Sequence, residues 1–136
     1  MNQSNLYISN STPPWQFQLI PLLQKSKDSY ILSHTYFKSI PKEHRFSLGL
    51  KIDNIFIEII EMISGALYVN KEEKTLYIKT AIRKTDTIKL LFLILWETKS
   101  LDNKKYLMIS ERIDEIGRML GGWLGQIIKQ NSSIKR

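Results

Sequence analysis

The sequence predicts an all-α protein, an antiparallel up-down-up-down four-helix bundle that assembles as a homo-oligomer. Two observations carry the fold class. Three long segments place apolar residues at alternating gaps of three and four, the spacing of one helix face. The connectors between these segments are short and polar, which suits antiparallel neighbours. A third observation predicts the assembly. Apolar residues remain beside the seams, and a single four-helix protomer buries only one face of each helix.

The elements follow in order. After an Asn- and Ser-rich start, Pro13, Pro14 and Pro21 delay helix formation by removing donors and restricting φ. A first helix is expected from near Pro21, a residue tolerated in a first turn, to about Ser39. Pro41 biases Ile40 away from helical geometry and marks a boundary. From Pro41 to about Val69 the seam is Leu48, Ile52, Ile55, Ile59, Met62, Ala66 and Val69. The run Asn70–Lys74 is expected as a turn, with Asn70 a candidate N-cap and Glu72 and Glu73 suited to the positive helix end. The next seam is Ile78, Ala81, Thr85, Ile88, Phe92 and Leu95, and the segment Ser100–Tyr106 breaks it. The last seam is Tyr106, Ile109, Ile113, Ile116, Leu120, Trp123 and Ile127. β-Branched runs such as Ile55–Ile60 would suit a strand, but the sustained helical period overrules them.

A chain of 136 residues is expected to be one domain that buries about two-thirds of its unfolded surface. A flexible segment at 1–18, a bundle at 19–130 and a tail at 131–136 are expected. The N-terminus lacks the basic and apolar regions of a signal peptide. The longest wholly apolar run, Leu90–Trp96, is far shorter than the roughly 20 residues a membrane span requires. A soluble, cytoplasmic protein with no membrane partner is therefore expected. The surplus apolar residues are Leu90, Leu93 and Ile94 on the third helix and Leu50, Phe56, Ile57 and Ile60 on the second. They are expected to form a subunit interface, for which Leu50, Ile57, Ile60, Leu90, Leu93 and Ile94 are the candidates.

Catalytic chemistry is not visible. With no cysteine there is no disulfide, thiolate metal site or thiol nucleophile. His34 and His44 show no metal-ligand spacing. His34, one turn from Tyr30 and Phe37, is expected to be a partly buried packing residue, and His44 a solvated first-turn residue. Asp114 and Glu115 diverge by about 100° on a helix, and a pairing with Arg118 is expected instead of joint acid–base work. No phosphate-binding loop or nucleophile elbow occurs. No enzyme, metal or cofactor is expected.

Net charge is +7, and the excess lies in the second half. Residues 71–100 and 101–136 each carry seven basic and four acidic residues, whereas residues 41–70 carry three and four. Such a balance fits a polyanion partner or simply a well-solvated surface.

The segment Asp114–Gln126 holds four glycines, Gly117, Gly121, Gly122 and Gly125, in an otherwise helical pattern. Each costs about 1 kcal/mol relative to alanine. Gly117, Gly121 and Gly125 recur every fourth residue and form a row, which lets another backbone approach, within the bundle or between protomers. The competing possibility is a helix that frays at Gly121–Gly122.

The stretch "DEIGRMLGGW", Asp114–Trp123, with Gly117, Arg118, Gly121, Gly122 and Trp123, resembles the C-terminal signature of a family of small bacterial four-helix proteins. One branch is encoded in intervening sequences of large-subunit ribosomal RNA genes. The other is the accessory variability determinant of diversity-generating retroelements. The resemblance continues through "KKYLMISERI" and through "IPKEHRFSLGLKIDNIFIEIIEMISGAL", and covers about residues 20–125. It implies a homopentameric barrel with a basic surface. For the retroelement branch it implies binding of a reverse transcriptase and its template RNA or cDNA in mutagenic reverse transcription. For the other branch it implies a structural role with no defined activity. Leu93 stands where the family's third helix often carries a base, which suits an apolar contact there.

If nucleic acid binds, the candidate surface is Lys79 and Arg83, one turn apart and opposite the Ile78–Leu95 seam. Lys84 and Lys89 are expected to flank it, with Lys104, Lys105 and Arg112 beside it at the start of the fourth helix. No aromatic residue interleaves with these bases, so contact is expected with phosphates and not with base identity. Repetition around a ring would add avidity.

Overall fold

The computed structural model describes the backbone of residues 14–134 and the side chains of residues 21–130. Four helices account for most of it: α1 Pro14–Tyr36, α2 Leu50–Ala66, α3 Lys71–Glu97 and α4 Asn103–Ile134. No strand occurs among the described residues. Helix α1 packs against α2 and α4, and α3 packs against the same two from the other side. Each helix therefore neighbours the next in sequence, and α4 closes the ring on α1.

The expected boundaries need four corrections. Helix α1 starts at Pro14, well before Pro21. Pro14 is already helical, and Pro21 lies inside and leaves the helix one ladder bond short. The second helix is not continuous from Pro41. A single turn at Lys42–His44 and a wide π-helical turn at Arg45–Gly49 precede α2, which ends at Ala66. The run after Asn70 is helix and not turn, because Asn70 caps it by accepting from the Glu73 N–H at 3.0 Å. Helix α4 continues to Ile134, through the glycines and into the expected tail, so it does not fray at Gly121–Gly122. Most of the expected N-terminal segment lies outside the described residues.

The seams of α3 and α4 are buried as their spacing predicts, except that Tyr106 at the start of the α4 seam is half-buried. Ile78, Ala81, Thr85, Ile88, Phe92 and Leu95 are buried, as are Ile109, Ile113, Ile116, Leu120, Trp123 and Ile127. Helix α1 has a seam of the same spacing, Leu22, Ser26, Ser29, Ser33 and Tyr36, but serine occupies its middle. Ser26 and Ser29 are buried, and their hydroxyls donate to the Leu22 and Lys25 carbonyls one turn back, at 2.8 and 2.7 Å. No polar group is stranded by this arrangement. Phe56, expected among the surplus residues, is 1% exposed. Its ring meets Tyr30 and Phe92 edge-on at 6.1 and 6.5 Å, so it joins α1, α2 and α3 within one protomer.

Two glycines permit close approach, and neither belongs to the C-terminal row. A Cβ on Gly49 would lie 3.1 Å from the Phe37 ring, and one on Gly65 would lie 2.9 Å from the Tyr77 ring. By contrast, a Cβ on Gly121, Gly122 or Gly125 would meet nothing within 4 Å, and one on Gly117 only Thr85 at 3.9 Å. Among the described residues, the row therefore faces open space at Gly121 and Gly125, and only its first member, Gly117, comes near α3.

Candidate nucleic-acid interface

Lys79 and Arg83 lie on the exposed outer side of α3. Neither has an ion-pair partner among the described residues. The other five candidate bases do not join them in one patch. Lys84 and Lys89 are on opposite edges of α3, each tied to the neighbouring helix. Lys84 binds Glu58 of α2 at 2.6 Å, and Lys89 binds Asp114 of α4 at 2.6 Å. The hydrogen bond to Asp114 raises the Lys89 pKa above its ordinary value. These lysines bridge helices, and their charges are largely compensated.

The remaining three belong to α4. Lys104 is exposed. Lys105 turns toward the end of α1, where it donates to the Ser39 hydroxyl at 2.8 Å and lies 5.7 Å from the centre of the Tyr36 ring. Arg112 lines the groove between α1 and α4 with Lys25, Asp28, Glu111 and Glu115. Lys84 and Lys89 thus do flank the outer Lys79–Arg83 pair, as bridging lysines. The expected place of the α4 bases is corrected: Lys105 and Arg112 lie on the α1 side and not beside α3. On a helix, a side chain's face depends on its angle, and α4 turns Lys105 and Arg112 away from α3.

Asp114 and Glu115 also differ from expectation. Asp114 binds Lys89, and Glu115 binds Lys25 of α1, so neither pairs with Arg118 through a salt bridge. The Lys25 hydrogen bond holds the Glu115 carboxyl below its ordinary range, with Arg118 a lesser influence. His34 is exposed and not partly buried. Its ring lies near Tyr30 and Phe37 as its position suggested, and its Nδ1 is 3.7 Å from Asp53. His44 is half-buried, with Nδ1 2.7 Å from the Ser100 hydroxyl in the α3–α4 connector. No cluster of metal-ligating side chains occurs among the described residues.

The sequence reading missed an aromatic stack beside the bases of α4. Trp96 is 37% exposed and stacks on Tyr106 at 5.1 Å, while its indole N–H donates to the Asn103 side chain, next to Lys104. The two rings are ten residues apart and meet because the connector folds α4 back beside α3. That distance hides them from a search for aromatics interleaved with lysines.

The apolar surplus is exposed unevenly. Leu50 and Ile57 are 47% and 38% exposed on α2, and Leu90 is 55% exposed on α3, whereas Ile60, Leu93 and Ile94 are half-buried. Leu76 and Leu107 were not among the candidates, yet they are 57% and 65% exposed. Leu76, Arg83 and Leu90 are seven residues apart on α3, so basic and apolar contacts share one face of that helix. Arg83 and Leu90 are separated along the axis by about 10 Å. No helix among the described residues is long and apolar enough to cross a membrane.

No curated protein and no solved structure matches the chain. A family model described as bAvd-like matches residues 22–127, which spans α2, α3, almost all of the described side chains of α1, and α4 past its glycine-rich signature. That match agrees with the four-helix architecture and with the resemblance carried by Asp114–Trp123, and on it the chain belongs to the bAvd-like family.

Proposed function

We propose that this chain is the accessory variability determinant of a diversity-generating retroelement. In this reading it is a non-enzymatic scaffold, an up-down-up-down bundle assembled as a homopentamer in the cytoplasm. It holds a reverse transcriptase together with template RNA or cDNA. The observation that carries the reading is the family match over residues 22–127. Lys79 and Arg83 support nucleic-acid binding, because both are exposed and uncompensated and so can release counterions from phosphate. Gly121, Gly122 and Gly125 of α4, where a Cβ would meet nothing within 4 Å among the described residues, and the exposed Leu50, Ile57 and Leu90 support assembly.

The test is a salt titration of RNA binding by the assembled protein, comparing wild type with Lys79→Glu/Arg83→Glu. The variant is expected to bind more weakly with a shallower salt dependence, indifferently to RNA sequence. Co-purification with the reverse transcriptase of the same locus tests the partner. Equal affinity and equal salt slope in the two proteins, with no co-purification, would favour the other branch, a structural protein encoded in a ribosomal RNA intervening sequence. Two bases paired with acids, Lys84 and Lys89, are what favours that second reading.

A further inference from the structure

At the end of the bundle where α3 passes into α4, two aromatic rings and two exposed cations come together. Trp96, in the last turn of α3, stacks on Tyr106 of α4 with ring centres 5.1 Å apart and planes 16° from parallel. Tyr106 is half-buried, and it supports an indole that remains 37% exposed. The indole N–H donates to the Asn103 side chain, so the ring is held in place and its only donor is used. What Trp96 offers a ligand is a fixed, open ring surface with little rotamer freedom left to lose on binding.

Lys99 and Lys104 flank that ring in sequence. The Lys99 backbone N–H donates to the Trp96 carbonyl at 3.0 Å. Its φ of 62° is the left-handed conformation that glycine usually supplies after a helix end. Glycine would relieve that strain, so the side chain is what lysine contributes there. Lys104 follows Asn103 at the start of α4. Both lysines are exposed, and neither has an ion-pair partner among the described residues. Of the two acids between Trp96 and Lys105, Asp102 is engaged, accepting from the Lys105 backbone N–H at 2.8 Å and lying 3.9 Å from its ammonium. The other, Glu97, is exposed and opposes an anion here.

We propose that Trp96 is a stacking platform for an unpaired nucleobase of a single strand, with Lys99 and Lys104 meeting the adjoining phosphates. The platform rests on the proposed nucleic-acid role and adds to it a contact with the base itself. Bases inside a duplex have both faces covered by their neighbours, so the platform selects single strands. With the indole N–H already used, it reads no base edge and tolerates any sequence. A protein side chain on the indole would leave both ammonium groups without an anion.

The test uses the full assembled chain and fluorescence anisotropy with oligodeoxyadenylate and a strand of equal length lacking its bases. Wild type is expected to bind the base-bearing strand about tenfold more tightly, the gain from one base–aromatic stack. Trp96→Leu removes that preference and leaves the abasic affinity unchanged, whereas Lys99→Gly/Lys104→Gln weakens both strands. Lys79→Glu/Arg83→Glu weakens both strands while preserving the preference. With 5-fluorotryptophan in the chain, the ¹⁹F signal that Trp96→Phe removes is expected to shift and saturate with the base-bearing strand, and not with the abasic one. Strands that bind alike overturn the platform and leave the phosphate contacts of the proposed function standing. So does a Trp96→Leu variant that keeps the preference, or a Trp96 signal that moves with the reverse transcriptase and not with the strand. If neither strand binds, the functional reading falls and the platform with it.

Discussion

Gly121 and Gly125 lie one turn apart on the exposed side of α4, and a Cβ at either would meet nothing within 4 Å. Both positions have helical backbone, and no glycine in the described chain has positive φ. Alanine therefore fits both without strain, and each substitution should recover about 1 kcal/mol of helix propensity. The double variant Gly121→Ala/Gly125→Ala gains roughly 2 kcal/mol within the protomer, or about 8 °C at some 4 °C per kcal/mol for a chain of this size. Assembly should respond in the opposite sense. If the glycine face is where protomers meet, two methyl groups on it separate the backbones and weaken the contact. The assay combines light scattering with thermal melting over a range of protein concentrations, because an oligomer's apparent stability rises with concentration. The expected result is a dilute 16.0 kDa protomer that melts higher than wild type, together with a smaller assembled fraction at high concentration. A lower melting temperature for the dilute double variant would refute the reasoning, since it would mean that the row packs against something within the chain. A higher melting temperature with unchanged assembly would remove the glycine face from the interface.

Gly65→Ala should destabilise by about 1–2 kcal/mol, since the new overpacking against the Tyr77 ring outweighs the gained propensity. In a Tyr77→Leu background the same change should turn neutral or stabilising, which a double-mutant cycle of urea melts measures. Phe56→Ala should cost about 3–5 kcal/mol by urea denaturation, because its ring is 1% exposed and joins three helices. The ion pairs define a pH window. Glu115 has a folded pKa below its ordinary 4.5, so its contribution is present above that value and fades as pH falls through the lower one. Lys89 is raised above its ordinary 10.5, so its contribution is present below 10.5 and is lost as pH rises through the folded value. With the Lys89–Asp114 side chains nearly half exposed, Lys89→Met should cost under about 1 kcal/mol at neutral pH. That cost should shrink at high salt and disappear at strongly alkaline pH, as followed by thermal melts.

The spacing of Ile78–Leu95 and Tyr106–Ile127 determined two helices and their buried faces, because a heptad seam lies on one side of a helix whatever surrounds it. Asn70 was legible as a cap for the same local reason. Helix α1 was faint because Ser26, Ser29 and Ser33 occupy its seam, and the Ser26 and Ser29 hydroxyls face the core by bonding to their own helix, which hydropathy does not register. Phe56 shows the limit of counting apolar residues. A stripe wide enough to suggest an interface can be filled by an aromatic from α1 and another from α3, and only their meeting in space reveals it. The same holds for charge. Net charge and spacing marked seven bases, but Lys84, Lys89 and Lys105 find acids or other partners on neighbouring elements, while Lys79 and Arg83 do not. The glycines that admit a close ring, Gly49 and Gly65, could not be separated by sequence from those that face open space, Gly121 and Gly125. Local periodicity follows from backbone geometry that each segment carries with it. Which side chains meet across helices depends on how the faces are rotated against one another, and tertiary packing alone decides that.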